Sequence, residues 1–285
     1  MSNAVFPHVV PAEQLTQFRE NGFVRTPGVF GPAELARYAA AVDTEVARRT
    51  AHDRRALADK TTYEQSFVQC MRLWETAPAV APLTLDARLA GIATQLLDVA
   101  GVLLWQDQAL YKEAGGRETT PHQDQTFWPI GAAPLVSAWI PFDTVTAHNG
   151  AMAYVPASHL AGPLKVVDIT HRTQPYEILG DPALGGRRPQ IVPAQPGDVI
   201  WHHGFTVHQA ARNASDTTRR VFTVVYIASG SRRAGSWPGY PLDRDGVAAG
   251  EEIRGPGMPQ LWPPPASAPE PPGEVSVPVG PQYQP

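Results

Sequence analysis

The chain has 285 residues, 43% of them hydrophobic and 18% charged, with a formal net charge of −4. That suits an ordinary globular protein with one large β-domain or two smaller ones, and the lack of any block of basic residues excludes the electrostatic footprint of a nucleic-acid binder. A single cysteine, Cys70, excludes an internal disulfide and a cysteine-based zinc site, and reads as a small packed side chain.

The first thirty residues contain Glu13, Arg19, Glu20 and Arg25 and lack the apolar core of a secretory signal. No run approaches the ~18 apolar residues that span a bilayer. The expectation is a cytoplasmic protein with no membrane partner, monomeric or weakly self-associated.

Pro11 opens a helix over Pro11–Glu20, with Leu15 and Phe18 one turn apart and Gly22 as its stop. Phe23–Pro27 reads as a short strand. After Gly31 and Pro32 a second helix runs to about Arg49, where Leu35, Tyr38, Val42 and Val46 form one apolar stripe that should lie on a sheet. From Ala51 to Ala81 the pattern is weak apart from the apolar Phe67–Trp74, and a third helix covers Asp86–Val99. After Gly101 the period becomes extended, with Val102–Trp105 and Gln108–Lys112 entering the sheet.

The rest alternates strands and turns. Leu135–Phe142, Ala151–Val155, Gln190–Val192, Asp198–His202 and Arg219–Ile227 are separated by Asn149-Gly150, Pro196-Gly197 and Asn213–Asp216. Short strands following N-terminal helices predict a mainly β fold, a jelly-roll or double-stranded β-helix barrel with a helical layer, forming one domain over residues 1–254. From Gly255 onward prolines crowd the chain, among them Pro263, Pro264 and Pro265, then Pro278, Pro281 and Pro285. Proline lacks the donor a sheet needs, so residues 255–285 read as an extended or disordered tail.

The chemistry centres on Thr119–Trp128, which carries His122 and Asp124. In extended backbone these two share one side while Gln123 faces away, so an imidazole and a carboxylate can close on one cation. Two histidines and one carboxylate on one octahedral face leave the remaining positions to a chelating co-substrate and dioxygen, the arrangement of non-heme Fe(II) oxygenases. The second histidine must come from a distant strand, which a barrel brings alongside. Asp198–His208 offers His202, His203 and His208, and spacing alone leaves them as rivals.

Several motifs occur in an order that resembles the phytanoyl-CoA dioxygenase-like family of Fe(II)/2-oxoglutarate oxygenases. They are Phe18–Val24, His122-Gln123-Asp124, Trp139, Asn149–Met152 with Pro156–His159, and the segment from Gly197 through His208 and Asn213 to Arg219. The resemblance covers roughly residues 12–228. It implies that His208 is the third iron ligand and that Arg219, eleven residues later, binds the far carboxylate of 2-oxoglutarate. An arginine suits that task because its planar fork pairs bidentately with a carboxylate and keeps its charge when partly buried. Arg220 faces the opposite side of the strand. Trp139 falls near the co-substrate, and Thr119 and Gln108 are further polar candidates around it. His202 and His203 then read as a strand-end pair supporting the ligands, and His159 as a turn-stabilising donor.

Two departures from the family stand out. Gln209-Ala210 follows His208 where the family often has Gly-Ser, so another donor must replace the serine hydroxyl, a hydrogen bond to a charged group being worth about 1.5–3 kcal/mol. Ala157 replaces a glycine, a change of turn without chemical consequence. Phe127 and Trp128 follow the metal dyad and are candidate walls for a small-molecule substrate, with Arg117 or Arg188 as candidate contacts for an acidic one. The implied activity is oxidation, foremost hydroxylation, of an unactivated C–H bond, with 2-oxoglutarate converted to succinate. The alternatives are a non-catalytic barrel binding a metal or small acid, and a metal-dependent hydrolase using the same ligands.

Overall fold

The helices begin and end where local side chains dictate. In the computed structural model, which describes residues 5–273, α1 (Ala12–Asn21) starts behind Pro11 and stops at Gly22. Gly22 adopts the left-handed φ of 81°, and its N–H closes on the Phe18 carbonyl at 2.8 Å. A Cβ there would lie 2.4 Å from His159 Nδ1 and 2.5 Å from Thr206 Oγ1, so glycine also permits a close approach. After β1 (Phe23–Thr26), α2 (Pro32–Thr50) buries Leu35, Val42 and Val46. The weakly patterned region contains β2 (Val68–Met71) and the single-turn helices α3 (Leu73–Thr76) and α4 (Ala81–Thr84). α5 (Ala87–Leu97) is capped by Asp86, which accepts the N–H of Arg88 at 2.8 Å and of Leu89 at 3.4 Å.

The strands then follow in sequence. β3 (Val102–Tyr111) is continuous through both predicted halves, and β4 (Thr119–His122) and β5 (Leu135–Pro141) come next. β6 (Met152–Tyr154), β7 (Gln190–Ile191) and β8 (Val199–His203) precede β9 (His208–Ala210), β10 (Val221–Ala228) and β11 (Gln260–Trp262). The larger sheet runs β1-β8-β5-β10-β3-β11, with β2 also on β3, and the smaller runs β4-β9-β6-β7. This is the curled, two-sheet double-stranded β-helix.

Strand parity divides the larger sheet. Phe222, Val224 and Tyr226 join Leu35, Val42, Leu89 and Ile92 in the core between sheet and helices. The odd-numbered Thr223 and Val225 turn the other way and, with Arg219 just before the strand, line an interior cavity. Arg220 points outward, where its guanidinium pairs with Asp143 at 2.6 Å and Asp43 at 2.7 Å.

Proline content predicts an extended or disordered tail from Gly255, and part of that segment is extended against the sheet. Gln260–Trp262 pairs with β3 as the edge strand β11, with Leu261 and Trp262 buried. Pro259 and Pro263 flank this strand without interrupting it, and an edge tolerates their missing donors. Trp262 stacks on Phe6 with centroids 4.7 Å apart. Trp262→Ala is therefore expected to destabilise the fold by about 3–5 kcal/mol, the usual range for deleting a buried aromatic, measurable by thermal or urea denaturation. The last prolines of the predicted tail, Pro278, Pro281 and Pro285, lie outside the described residues.

Candidate metal centre

The smaller sheet supplies the ligands. β4 pairs with β9 so that His122 stands opposite His208, and their rings lie 4.4 Å apart. Beyond β4, Gln123 keeps extended angles and Asp124 opens a short 3-10 turn, which returns the carboxylate to the side of His122. Gln123 does face away: its Nε2 donates to the carbonyls of Phe205 at 2.7 Å and Gly162 at 2.9 Å, and its Oε1 accepts Leu164 N–H at 2.8 Å. The His-Gln-Asp triplet thus aims two side chains inward and ties down two loops with the third.

One ligand atom from each of His122, Asp124 and His208 lies within 4.8 Å of the others. Asp124 Oδ1 is 3.3 Å from His122 Nε2 and 3.5 Å from His208 Nε2. Adjacent ligands at bonds near 2.1 Å are about 3 Å apart on an octahedral face, so the three groups need little movement to share one ion. The tautomers agree. His122 Nδ1 is 2.7 Å from the Thr120 carbonyl and His208 Nδ1 2.9 Å from that of Thr206. Each Nδ1 therefore carries the proton, and each Nε2 lone pair faces the centre. Burial pushes His208 down to about 3, keeping it in the neutral ligand form. Burial opposes ionisation of Asp124, but the histidines packed around it, with His202 Nε2 3.1 Å from its Oδ2, hold its carboxyl well below the usual range. A carboxylate and two neutral imidazoles fit an iron centre.

His202 and His203 separate in role. His202 Nε2 lies 3.1 Å from Asp124 Oδ2, beside the ligands, whereas His203 Nδ1 accepts the Phe205 N–H at 3.1 Å. His159 Nε2 reaches the Arg19 carbonyl at 3.1 Å, in keeping with a turn-stabilising donor.

The cavity beside the ligands is lined by Arg219, Trp139, Thr119 and Gln108. Arg219 is buried; one Nη donates to the Gly150 carbonyl at 2.9 Å and the other to that of Leu110 at 3.4 Å. Its carbon centre sits 5.3 Å from the Trp139 ring. Its Nε is buried without a partner, a donor left for a ligand. Burial lowers the guanidinium to about 10, so it remains a cation at neutral pH. Thr119 stands directly across from Ala210 in the β4–β9 register.

Sequence reasoning passed over Lys112, Ser137 and Tyr154. Lys112 is fully buried and donates to the Ser66 carbonyl at 2.8 Å, to the Arg117 carbonyl and to Thr119 Oγ1 at 3.3 Å. Burial first, and the charge of Arg219 second, push it down to about 7. Strand parity could have flagged Ser137, which shares the inward face of β5 with Trp139.

Phe127 and Trp128 line the cavity with Tyr63 and Tyr240. The two arginines expected near an acidic substrate do not. Arg117 is drawn to its neighbour Glu118 at 2.7 Å, and Arg188 lies exposed in a glycine-flanked surface loop. Arg188→Ala is expected to leave substrate KM within about twofold, as for other surface changes, in steady-state assays.

Fold and site together define a double-stranded β-helix protein with a two-histidine, one-carboxylate metal centre. Residues 18–221 match the model of the family Phytanoyl-CoA dioxygenase (PhyH), and the chain belongs to that family. A Danio rerio relative, Phytanoyl-CoA dioxygenase domain-containing protein 1, is 29% identical over 143 residues, an alignment covering 45% of each chain and so less than half the relative's length. Among solved structures, the non-heme alpha-ketoglutarate-dependent carbocyclase SnoK from nogalamycin biosynthesis superimposes with a TM-score of 0.74 at 26% identity, covering 88% of this chain and 96% of that one. The epimerase SnoN, in complex with Fe3+, alpha ketoglutarate and nogalamycin RO, gives 0.70 at 25% identity, covering 87% and 97%.

Proposed function

We propose that this protein is an Fe(II)/2-oxoglutarate-dependent oxygenase that hydroxylates an unactivated C–H bond of a small molecule. One observation carries the reading: the His122–Asp124–His208 face shares its cavity with a buried guanidinium that has a donor to spare. Bound iron supplies the oxidising chemistry, with 2-oxoglutarate giving succinate and CO2 as dioxygen is consumed.

The chain's own groups position the reactants. His122, Asp124 and His208 hold the metal, and Arg219, fixed over Trp139, pairs with the far carboxylate of the co-substrate. Thr119 takes the place of the absent serine. It faces Ala210, and because Lys112 donates to its oxygen, its own proton is left for the carboxylate. Gln108 Oε1 accepts from Gln69 at 2.7 Å, so its amide N–H groups are left to the cavity. Asp124 fills the place that a halogenase leaves to halide, which argues against halogenation.

The substrate class follows from the walls. Apart from the metal-site groups, the charged residues lining the cavity among those described are Arg72 and Arg219. Arg72 is already bonded to Glu75 and to the carbonyls of Trp105 and Gly257. With Arg219 given to the co-substrate, no free charge remains for an anionic substrate. The aromatic side chains of Tyr63, Phe127, Trp128 and Tyr240 suit an uncharged, flat or ring-containing one. The similarity to SnoK and SnoN supports that class and favours a second reaction, ring closure or epimerisation, which begins with the same hydrogen abstraction.

The test is a succinate-coupled screen of neutral ring-containing compounds with the Fe(II)-loaded protein, read by mass spectrometry. Gain of one oxygen marks hydroxylation, loss of two hydrogens ring closure, and unchanged mass with altered chirality epimerisation. Turnover that persisted without dioxygen and 2-oxoglutarate would identify a hydrolase.

A further inference from the structure

We propose that His202 is a positioning residue that keeps Asp124 bound to the metal through one oxygen. The proposal rests on the metal centre described above. The two carboxylate oxygens of Asp124 are in different surroundings. Oδ1 faces the unprotonated Nε2 atoms of His122 and His208, at 3.3 and 3.5 Å, and is the metal-facing oxygen. Oδ2 turns toward the larger sheet, where it meets His202 Nε2 at 3.1 Å and the Ser137 hydroxyl at 3.2 Å.

Those two donors are neighbours. β5 and β8 pair with Ser137 opposite His202, so adjacent strands of the larger sheet both address the carboxylate that follows β4 of the smaller one. For His202 to donate from Nε2, its Nδ1 must accept, and Tyr154 sets this: its buried hydroxyl lies 3.4 Å from His202 Nδ1. Tyr154 is itself fixed by stacking on Phe23, with centroids 4.9 Å apart. The chain of direction runs from the Tyr154 O–H to His202 Nδ1 and from the His202 N–H to Asp124 Oδ2. With Oδ2 occupied by two donors, the carboxylate is held against rotating to chelate through both oxygens, which would take a position that the co-substrate or dioxygen needs.

Two substitutions separate positioning from mere packing. His202→Phe keeps a ring of similar size and removes the donor, whereas His202→Gln places an amide N–H near the position of Nε2. Metal binding to each full-length protein is read by Co(II) titration, following dissociation constant and visible absorption, with the melting temperature of the metal-free protein alongside. Relative to wild type, H202F is expected to bind Co(II) about 10–100-fold more weakly, the loss typical of removing a partner that orients a ligand, with an altered spectrum. H202Q is expected to recover most of the affinity and the wild-type spectrum, and Tyr154→Phe to show a smaller loss of the same kind. Unchanged affinity and spectrum in H202F would overturn the proposal. So would equal loss in H202F and H202Q, which would mark His202 as a ligand or a packing residue. Failure of the wild-type protein to bind Co(II) would overturn the metal centre itself.

Discussion

Asp124→Ala and His208→Ala are each expected to lower 2-oxoglutarate turnover by more than about 100-fold, beyond the loss seen when only a group supporting a ligand is removed. Each removes one of three donors on a single face, leaving two that lie on no fixed plane. The buried surroundings sharpen the effect. Asp124 is the anion among the three ligand groups, so without it a dication would meet only neutral imidazoles in a site that burial desolvates. The measurement is succinate formed per iron bound, with metal content determined on the same sample. Added Fe(II) is not expected to rescue Asp124→Ala, because the missing group is the charge itself.

Arg219→Met is expected to raise the KM for 2-oxoglutarate far more than it changes the substrate KM. Breaking a buried charge pair costs about 2–5 kcal/mol, roughly 30- to 4,000-fold in affinity. Methionine keeps an unbranched chain and removes the guanidinium that lies over Trp139, so the loss reports on that group. Arg219→Lys is expected to recover little, since an ammonium cannot reproduce the planar fork held by the carbonyls of Gly150 and Leu110. Because burial lowers the Arg219 guanidinium to about 10, co-substrate affinity should stay level from neutral pH and fall as pH nears that value. The sign follows from the cation being the binding form, lost as the proton leaves.

Much of this site was legible in the sequence because its parts are local patterns. His122 and Asp124 share a face through strand parity, and Gly22 marks the end of a helix. The pairing of the distal histidine was not legible in that way. β9 is only three residues, His208-Gln209-Ala210, with no alternation to announce a strand, and its partner β4 lies far away in the chain. Family resemblance chose His208 where spacing left three rivals. The roles of Ser137, His202 and Tyr154 depend on which strands are neighbours across the larger sheet and on the approach of the two sheets, information that no single strand carries. At the proline-rich end, composition points to extended backbone but not to pairing, which Leu261 and Trp262 provide by burying their side chains between the prolines. Charge and a glycine-flanked position single out Arg117 and Arg188 but do not say whether a loop faces the cavity.

The most direct test is an oxygen-free titration of the Fe(II)-loaded protein with 2-oxoglutarate, followed by visible absorption. Chelation of iron by the keto acid gives a metal-to-ligand charge-transfer band, expected here at one co-substrate per iron, absent in Asp124→Ala and shifted to much higher 2-oxoglutarate in Arg219→Met. Tightly bound iron with no such band at saturating co-substrate would contradict a centre built from His122, Asp124 and His208 and served by Arg219.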